Sequence, residues 1–431
     1  MMRAVHSNSN RFGVWTKATV TFAVWLVFAG AQGASAATLC VNPTGKGGCF
    51  ATITSAVTAA TVNDTIQVAK GTYDEDIVVG KSLSLIGANP KNTIIDATGL
   101  ANGIFVDGID NPGLSGVTVS GFTVKNANFE GILVANASSV TISGSIVSNN
   151  NKSLVIATPA CPGLPSFETE EGDDCGEGIH LLGANHSAVA DNLVEKNSGG
   201  ILISDDTAAA SNNLISGNIV SNNSFDCGIT LASHPRASIA GPGTPLGVTQ
   251  NTISNNLSTS NGLATPGAGA GVGIFDGAAS GIASGNVVVG NTLTNNGLPG
   301  VTMHSHAPGE DLTNNVIVNN AIGGNHADTG DAATSGSTGI NVFGLSAATG
   351  TVISDNYITD EALDVVVNTP ASVDVHLNDL LGKGVGVQTL NAGTANATLN
   401  FWGCAKGPGA RGCTTASGTG ILSTPFASKE F

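Results

Sequence analysis

The stretch NVVVGNTLTNNG, residues 286–297, places asparagine at 286, 291 and 296 with apolar residues between. Asparagine is a weak helix former and is depleted in strands, so a five-residue beat of it needs a different geometric explanation. The beat recurs as Asn213, Asn218 and Asn223, as Asn251, Asn256 and Asn261, and as Asn315, Asn320 and Asn325, with Asn192 and Asn197 in NLVEKN. Ahead of these blocks stand glycines followed by a β-branched residue: Gly103, Gly131, Gly178, Gly200, Gly228, Gly273, Gly300 and Gly339. Their spacings are 28, 47, 22, 28, 45, 27 and 39 residues. A minimum unit of 22 with variable extras is a structural repeat whose insertions fall in loops.

Within one unit, 200–227, the chain reads as GILI, a turn SDDTAAASN, NLIS, a corner GN, IVS and then NNSFDC. Strands this short, with neither hairpin signals nor helices between them, cannot build a sandwich or a doubly wound sheet. They can coil, each strand pairing in parallel with its equivalent about 4.8 Å away. The expected fold is all-β, a single-stranded right-handed parallel β-helix of about ten coils. Asparagine tolerates the left-handed backbone of sharp corners, and stacked copies can bond amide to amide in ladders. The best-filled columns are Asn192, Asn218, Asn256, Asn291, Asn320, Asn356 and Asn150, Asn197, Asn223, Asn261, Asn296, Asn325. A pentapeptide-repeat helix is excluded because the beat breaks after two or three steps.

Residues 1–36 read as a secretion signal: Arg3, Arg11 and Lys17, then the apolar run 18–31, then Ala34-Ser35-Ala36 for cleavage. Residues 37–64 are expected to form an N-terminal cap with a helix in 50–64, residues 65–400 the β-helix, and 401–431 a C-terminal cap around Trp402. The expected location is secreted or periplasmic, without a membrane span and as a monomer. The formal charge of −16 becomes −16 − 3 = −19 once the three basic and no acidic residues of the signal are removed. That disfavours nucleic acid and anionic membrane as partners. Seven cysteines in an exported chain suggest disulfides: Cys40 with Cys49, Cys161 with Cys175, and Cys404 with Cys413, leaving Cys227 as a buried thiol.

The arrangement resembles the secreted right-handed parallel β-helix repeat proteins of the pectate-lyase-like superfamily. The resemblance rests on the opening GTYDEDIVVGKSLSLIG, the N-x-I-x-x-N coils and the closing NFWG, and it implies fold more than function. The motifs of its enzyme subfamilies are largely missing. Of the polygalacturonase set only Asp205-Asp206 is present, and the nearest string to the epimerase Asp-Pro-His-Asp is Ser233-His234-Pro235-Arg236.

Aligning units on their glycine marks stacks His234 on His306 and Ser233 on Ser305, with Asp206 and Ala279 in the same column, and His180 and His304 on neighbouring positions. Arg236 on this face would neutralise a uronate carboxylate, His234 would take the C5 proton, and His306 would protonate the leaving oxygen. Asp205, Asp206, His180, His304 and Phe275 would contact the substrate, a polysaccharide or cell-surface glycan. Phe343 matches Phe275 in the repeat. Ligand contact without chemistry, and a merely solvated turn, stay open beside that reading; so does a non-catalytic surface scaffold or adhesin. The turns carrying these residues are expected to be exposed. The acidic insertion FETEEGDDCGEGIH offers Glu171, Asp173, Asp174 and Glu177 as candidate calcium ligands.

Overall fold

Each corner of the coil is set by an asparagine and the residue in front of it. In NNLISGNIVSNN, residues 212–223, the left-handed residues are Asn212, Gly217 and Asn222, with φ of 57°, 67° and 57°, and each directly precedes a ladder asparagine. One asparagine, one three-residue strand and one left-handed residue make the five-residue beat. The expectation that the ladder asparagine itself adopts the left-handed conformation is therefore corrected: it supplies the side chain, and its predecessor supplies the bend.

The structure, a computed structural model, describes residues 36–158, 160–169, 175–264, 267–330 and 332–431. Every pairing in its three main sheets is parallel, and they have 14, 12 and 11 strands. The coil at 188–204 is representative: Ala188–Ala190 joins the 14-stranded sheet, Leu193–Glu195 the 11-stranded sheet and Ile201–Ser204 the 12-stranded sheet. The fold is a right-handed parallel β-helix.

An amide ladder runs down each of the three corners. Asn218 shows the bonding: its backbone N–H and Nδ2 both donate to Oδ1 of Asn256, at 2.9 and 3.0 Å. Its Nδ2 also reaches the Val189 carbonyl at 2.9 Å, and its own Oδ1 accepts the same pair of bonds from Asn192. This column continues past Asn356 to Asn378 and Asn400. The second column runs from Asn150 to Asn325 and ends on Glu361. A third, Asn213, Asn251, Asn286 and Asn315, occupies the remaining corner. The amides satisfy buried backbone groups that strands of three residues leave unpaired.

Inside the coil, apolar side chains stack by type. Ile215, Ile253, Ile317 and Ile353 are fully buried, and Ile201 is 1% exposed. Each contributes roughly 2 kcal/mol by its removal from water. The ends extend these stacks. Thr38–Val41 already pairs with Thr65–Val68, and Ile53–Ala59 is a short helix whose first N–H groups, on Ile53 and Thr54, are capped by the Glu75 carboxylate at 2.8 Å each. At the far end Trp402 is fully buried, and Thr415–Ser417 and Ile421–Leu422 still add strands. Cys40–Cys49, Cys161–Cys175 and Cys404–Cys413 are disulfides. Cys227 stands outside them, buried, with its sulfur accepting the Ala270 N–H at 3.2 Å. Among the described residues no helix is long and apolar enough to cross a membrane.

One repeat mark is displaced. Ile229 pairs with Val272, and Leu231 with Ile274, so the unit begins at Gly271-Val272 rather than Gly273-Ile274. Ser233 therefore faces Asp276, and the column of His234 runs toward Gly277 instead of Ala279.

Candidate functional site

The outer face of the 12-stranded sheet carries nearly all the candidate residues, because its strands are the longest and their outward positions hold polar and aromatic side chains. Register places Phe275 beside His304 and His304 beside Phe343. The Phe275 and His304 rings meet edge to face with centroids 5.2 Å apart, and His304 and Phe343 at 5.7 Å. His304 is buried, and its Nε2 lies 2.9 Å from the Asp328 carboxylate. Burial would raise the Asp328 carboxyl, but the hydrogen bond and charge of His304 outweigh it and hold Asp328 below its ordinary value. His306 is exposed, stacks on Phe275 at 6.5 Å and lies 5.6 Å from His304. Both phenylalanines remain half-buried, so this group presents two rings and the exposed His306 imidazole to solvent, with the His304–Asp328 pair buried beneath them.

Further toward the N-terminus the same face is covered. Phe167, in the insertion before Cys175, stacks on Phe105 at 6.0 Å. Thr169 donates its backbone N–H to Asp206 at 2.7 Å and its hydroxyl to the Pro235 carbonyl at 3.0 Å. Beneath this cover lies a buried polar chain. His180 Nε2 meets the Ser204 hydroxyl at 2.8 Å, that hydroxyl donates to Asp206 at 2.5 Å, and Asp206 meets His234 Nδ1 at 3.3 Å. Burial pushes the Asp206 carboxyl up, yet the His234 charge and the bonds from His234, Ser204 and Thr169 hold it well below the usual carboxylate range.

Of His234, Arg236 and His306 only His306 is exposed; His234 is buried and Arg236 half-buried. His234 is 1% exposed, with its backbone N–H on Asp205 at 2.7 Å, so the expectation of an exposed turn is corrected: the insertion and the 234–247 loop close over it. Arg236 spends its guanidinium on that loop, donating from Nε to the Thr244 carbonyl and from Nη1 to the Ala240 carbonyl. Asp205 anchors the same loop, accepting from Ser233, Leu246 and Gly247, which makes it a staple rather than a substrate contact.

Of the acidic candidates, Glu171, Asp173 and Asp174 lie outside the described residues. Glu177 is buried, and its carboxylate converges with those of Glu130 and the ring of His180, their donor atoms all within 4.8 Å of one another. Glu168 adds a carboxylate oxygen 3.7 Å from His180 Nδ1. Burial, then the negative charge of Asp206, pushes Glu168 up to about 8; burial, then Glu168, raises Glu130. Asp276, Asp328 and Glu130 were not singled out from sequence. Asp276 was hidden by the two-residue displacement of its repeat mark. Glu130 was visible, since FEGI and GEGI put Glu130 and Glu177 at the same place ahead of consecutive marks.

A family model described as right handed beta helix region matches residues 90–280. No curated protein matches the chain. Among solved structures, DFA-IIIase from Arthrobacter chlorophenolicus A6 in complex with GF2 is similar, with a TM-score of 0.51 at 14% identity over 85% of this chain and 89% of that one. An alginate lyase from Paenibacillus sp. gives 0.48 at 14% identity, covering 83% and 99%. The A-module of a mannuronan C-5 epimerase from Azotobacter vinelandii gives 0.49 at 14%, covering 87% and 93%. At these identities the likeness is one of fold.

Proposed function

We propose that the protein is exported and binds a polysaccharide along the outer face of its 12-stranded sheet, over Phe275, His304, His306 and Phe343. The observation that carries this reading is the register column of Phe275, His304 and Phe343, whose rings follow one another at 5.2 and 5.7 Å. The half-buried rings of Phe275 and Phe343, held two coils apart by the buried His304 between them, offer apolar surface to the C–H faces of sugar units, while the polar edges nearby meet hydroxyl groups. The acidic chain, at −16, favours neutral glycans over uronate polymers now that Arg236 is committed to its own loop. Cleavage, or epimerisation where the polymer is a uronate, as the finer reading, draws on the exposed His306 as base or acid and on His304, which Asp328 orients.

The test is binding and turnover on a panel of neutral and uronate polysaccharides, with Phe343→Ala and His306→Ala alongside wild type. Phe343→Ala weakens binding about tenfold through lost ring contact, and His306→Ala lowers turnover more than binding. Binding without turnover leaves a glycan-binding scaffold or adhesin. A panel that shows no binding, or a Phe343→Ala protein that binds as wild type does, removes the reading.

A further inference from the structure

Glu130 and Glu177 each stand two residues before an isoleucine that opens a strand, and those isoleucines, Ile132 and Ile179, are register partners. The two carboxylates therefore occupy stacked positions on neighbouring coils. They are 0% and 1% exposed. Like charges facing each other across strands are unfavourable even at a surface, and burial makes them far more so. Neither oxygen of Glu130 receives a hydrogen bond among the described residues. Glu168, from the covering insertion, adds a third carboxylate with its side chain 5% exposed, 3.7 Å from His180 Nδ1, and carboxylates crowded out of water in this way need shared protons or a cation.

The hydrogen bonds of His180 specify the nitrogen that could serve a cation. The Ser204 hydroxyl gives its proton to Asp206 at 2.5 Å, so toward His180 Nε2, 2.8 Å away, it can only accept. When the ring is neutral its hydrogen therefore sits on Nε2, and Nδ1, the nitrogen 3.7 Å from Glu168, is the one turned toward the carboxylates. An imidazole anchored through its far N–H, with its other nitrogen turned toward carboxylates, has the arrangement of a metal-ligating histidine.

We propose that Glu130, Glu177 and His180, with Glu168 beside them, hold a divalent transition-metal ion, zinc being the best match. An imidazole donor argues against calcium and magnesium, which take oxygen ligands, and imidazole plus carboxylate without thiolate suits zinc or manganese. Zinc bonds of about 2.0–2.2 Å place tetrahedral ligand atoms about 3.4 Å apart, so the donors, now within 4.8 Å, draw inward on loading. The ion neutralises the stacked carboxylates and, through Glu168, ties the disulfide-closed insertion to the sheet. The site is independent of what the aromatic face binds.

Chelator-stripped wild-type protein, titrated separately with zinc, manganese and calcium chloride, tests this, with metal content and melting temperature as readouts. Wild type takes up one zinc per chain and melts higher; Glu130→Gln and His180→Ala weaken uptake at least about 100-fold. Glu130→Gln keeps the side-chain shape, so the stripped variant melts no lower than stripped wild type and separates lost ligation from lost folding. Wild type that binds neither zinc nor manganese overturns the proposal, as does zinc uptake unchanged in both variants. Calcium uptake alone, undiminished in His180→Ala, overturns it too, because the ion would then sit on oxygen donors elsewhere.

Discussion

Glu361 accepts both hydrogen bonds that Asn325 sends onward at the end of its ladder, the backbone N–H at 2.9 Å and Nδ2 at 3.1 Å, on a single oxygen, Oε1. Its other oxygen, Oε2, is buried. Burial raises the carboxyl above its ordinary value, against the bonds from Asn325 that lower it. A raised folded value means the folded chain holds this proton more tightly than the unfolded chain. Stability from this group is therefore complete below the unfolded value of 4.5 and is lost as pH rises through the folded one. Glu361→Gln keeps the acceptor and removes the charge. It is expected to stabilise by about 1 kcal/mol at pH 7 and to leave stability unchanged in acid, as urea unfolding at the two pH values will show.

Asn255 and Asn256 are neighbours with opposite roles. Asn255 has φ of 56°; Asn256 joins Asn218 to Asn291 through four ladder bonds. Asn256→Ala leaves buried donors on Asn218 unmet and is expected to cost about 3 kcal/mol. Asn255→Gly changes stability little, while Asn255→Val, forced into the left-handed region, costs about 1–2 kcal/mol. Equal losses at both positions would contradict this division of labour. Denaturant midpoints decide it.

Asp276 is fully buried on the strand end beside Ser233 and Ser305. Burial, then the negative charges of Glu310 and Asp205, pushes its carboxyl up to about 9. The folded value lies above the unfolded 3.8, so the stabilising proton is lost progressively as pH rises toward 9. Melting temperature should fall across that range in wild type, and Asp276→Asn should flatten the fall. A profile with the same slope in the variant would mean another group is responsible.

Arg236→Ala is expected to loosen the loop 236–245, whose carbonyls the guanidinium holds, and to leave the coil intact. Hydrogen exchange should quicken within 234–247, while the strands on either side keep their protection. A global fall in melting temperature with no local change would place Arg236 in some other structural role.

The coil was legible in the sequence because its corners repeat the same chemistry: Asn213, Asn218 and Asn223 each mark a turn that no other reading explains. The displaced mark at 271–274 shows where legibility stops. Gly271-Val272 and Gly273-Ile274 fit the pattern equally well, and a slip of two residues keeps every side chain on its own face, so inward and outward positions survive while the neighbours change. That slip hid Asp276. The exposure of His234 was misjudged for another reason: what buries it is a long insertion, and its path over the sheet depends on contacts such as Thr169 with Asp206 that no periodicity encodes. Arg236 read as an anion contact because sequence shows a charge and not the carbonyls that occupy it.

The ladders also give the molecule a direction. Each amide offers its oxygen to the coil before and its N–H to the coil after, as Asn192, Asn218 and Asn256 do in turn, so the dipoles in a column all point the same way and add. The partially positive end of the column that runs from Asn150 through Asn325 falls on Glu361, a negative side chain. A coil inserted in reverse would set donor against donor at all three corners. The chain can therefore grow or shrink only by whole turns of one polarity, and a copy docking end to end could continue the rows only head to tail.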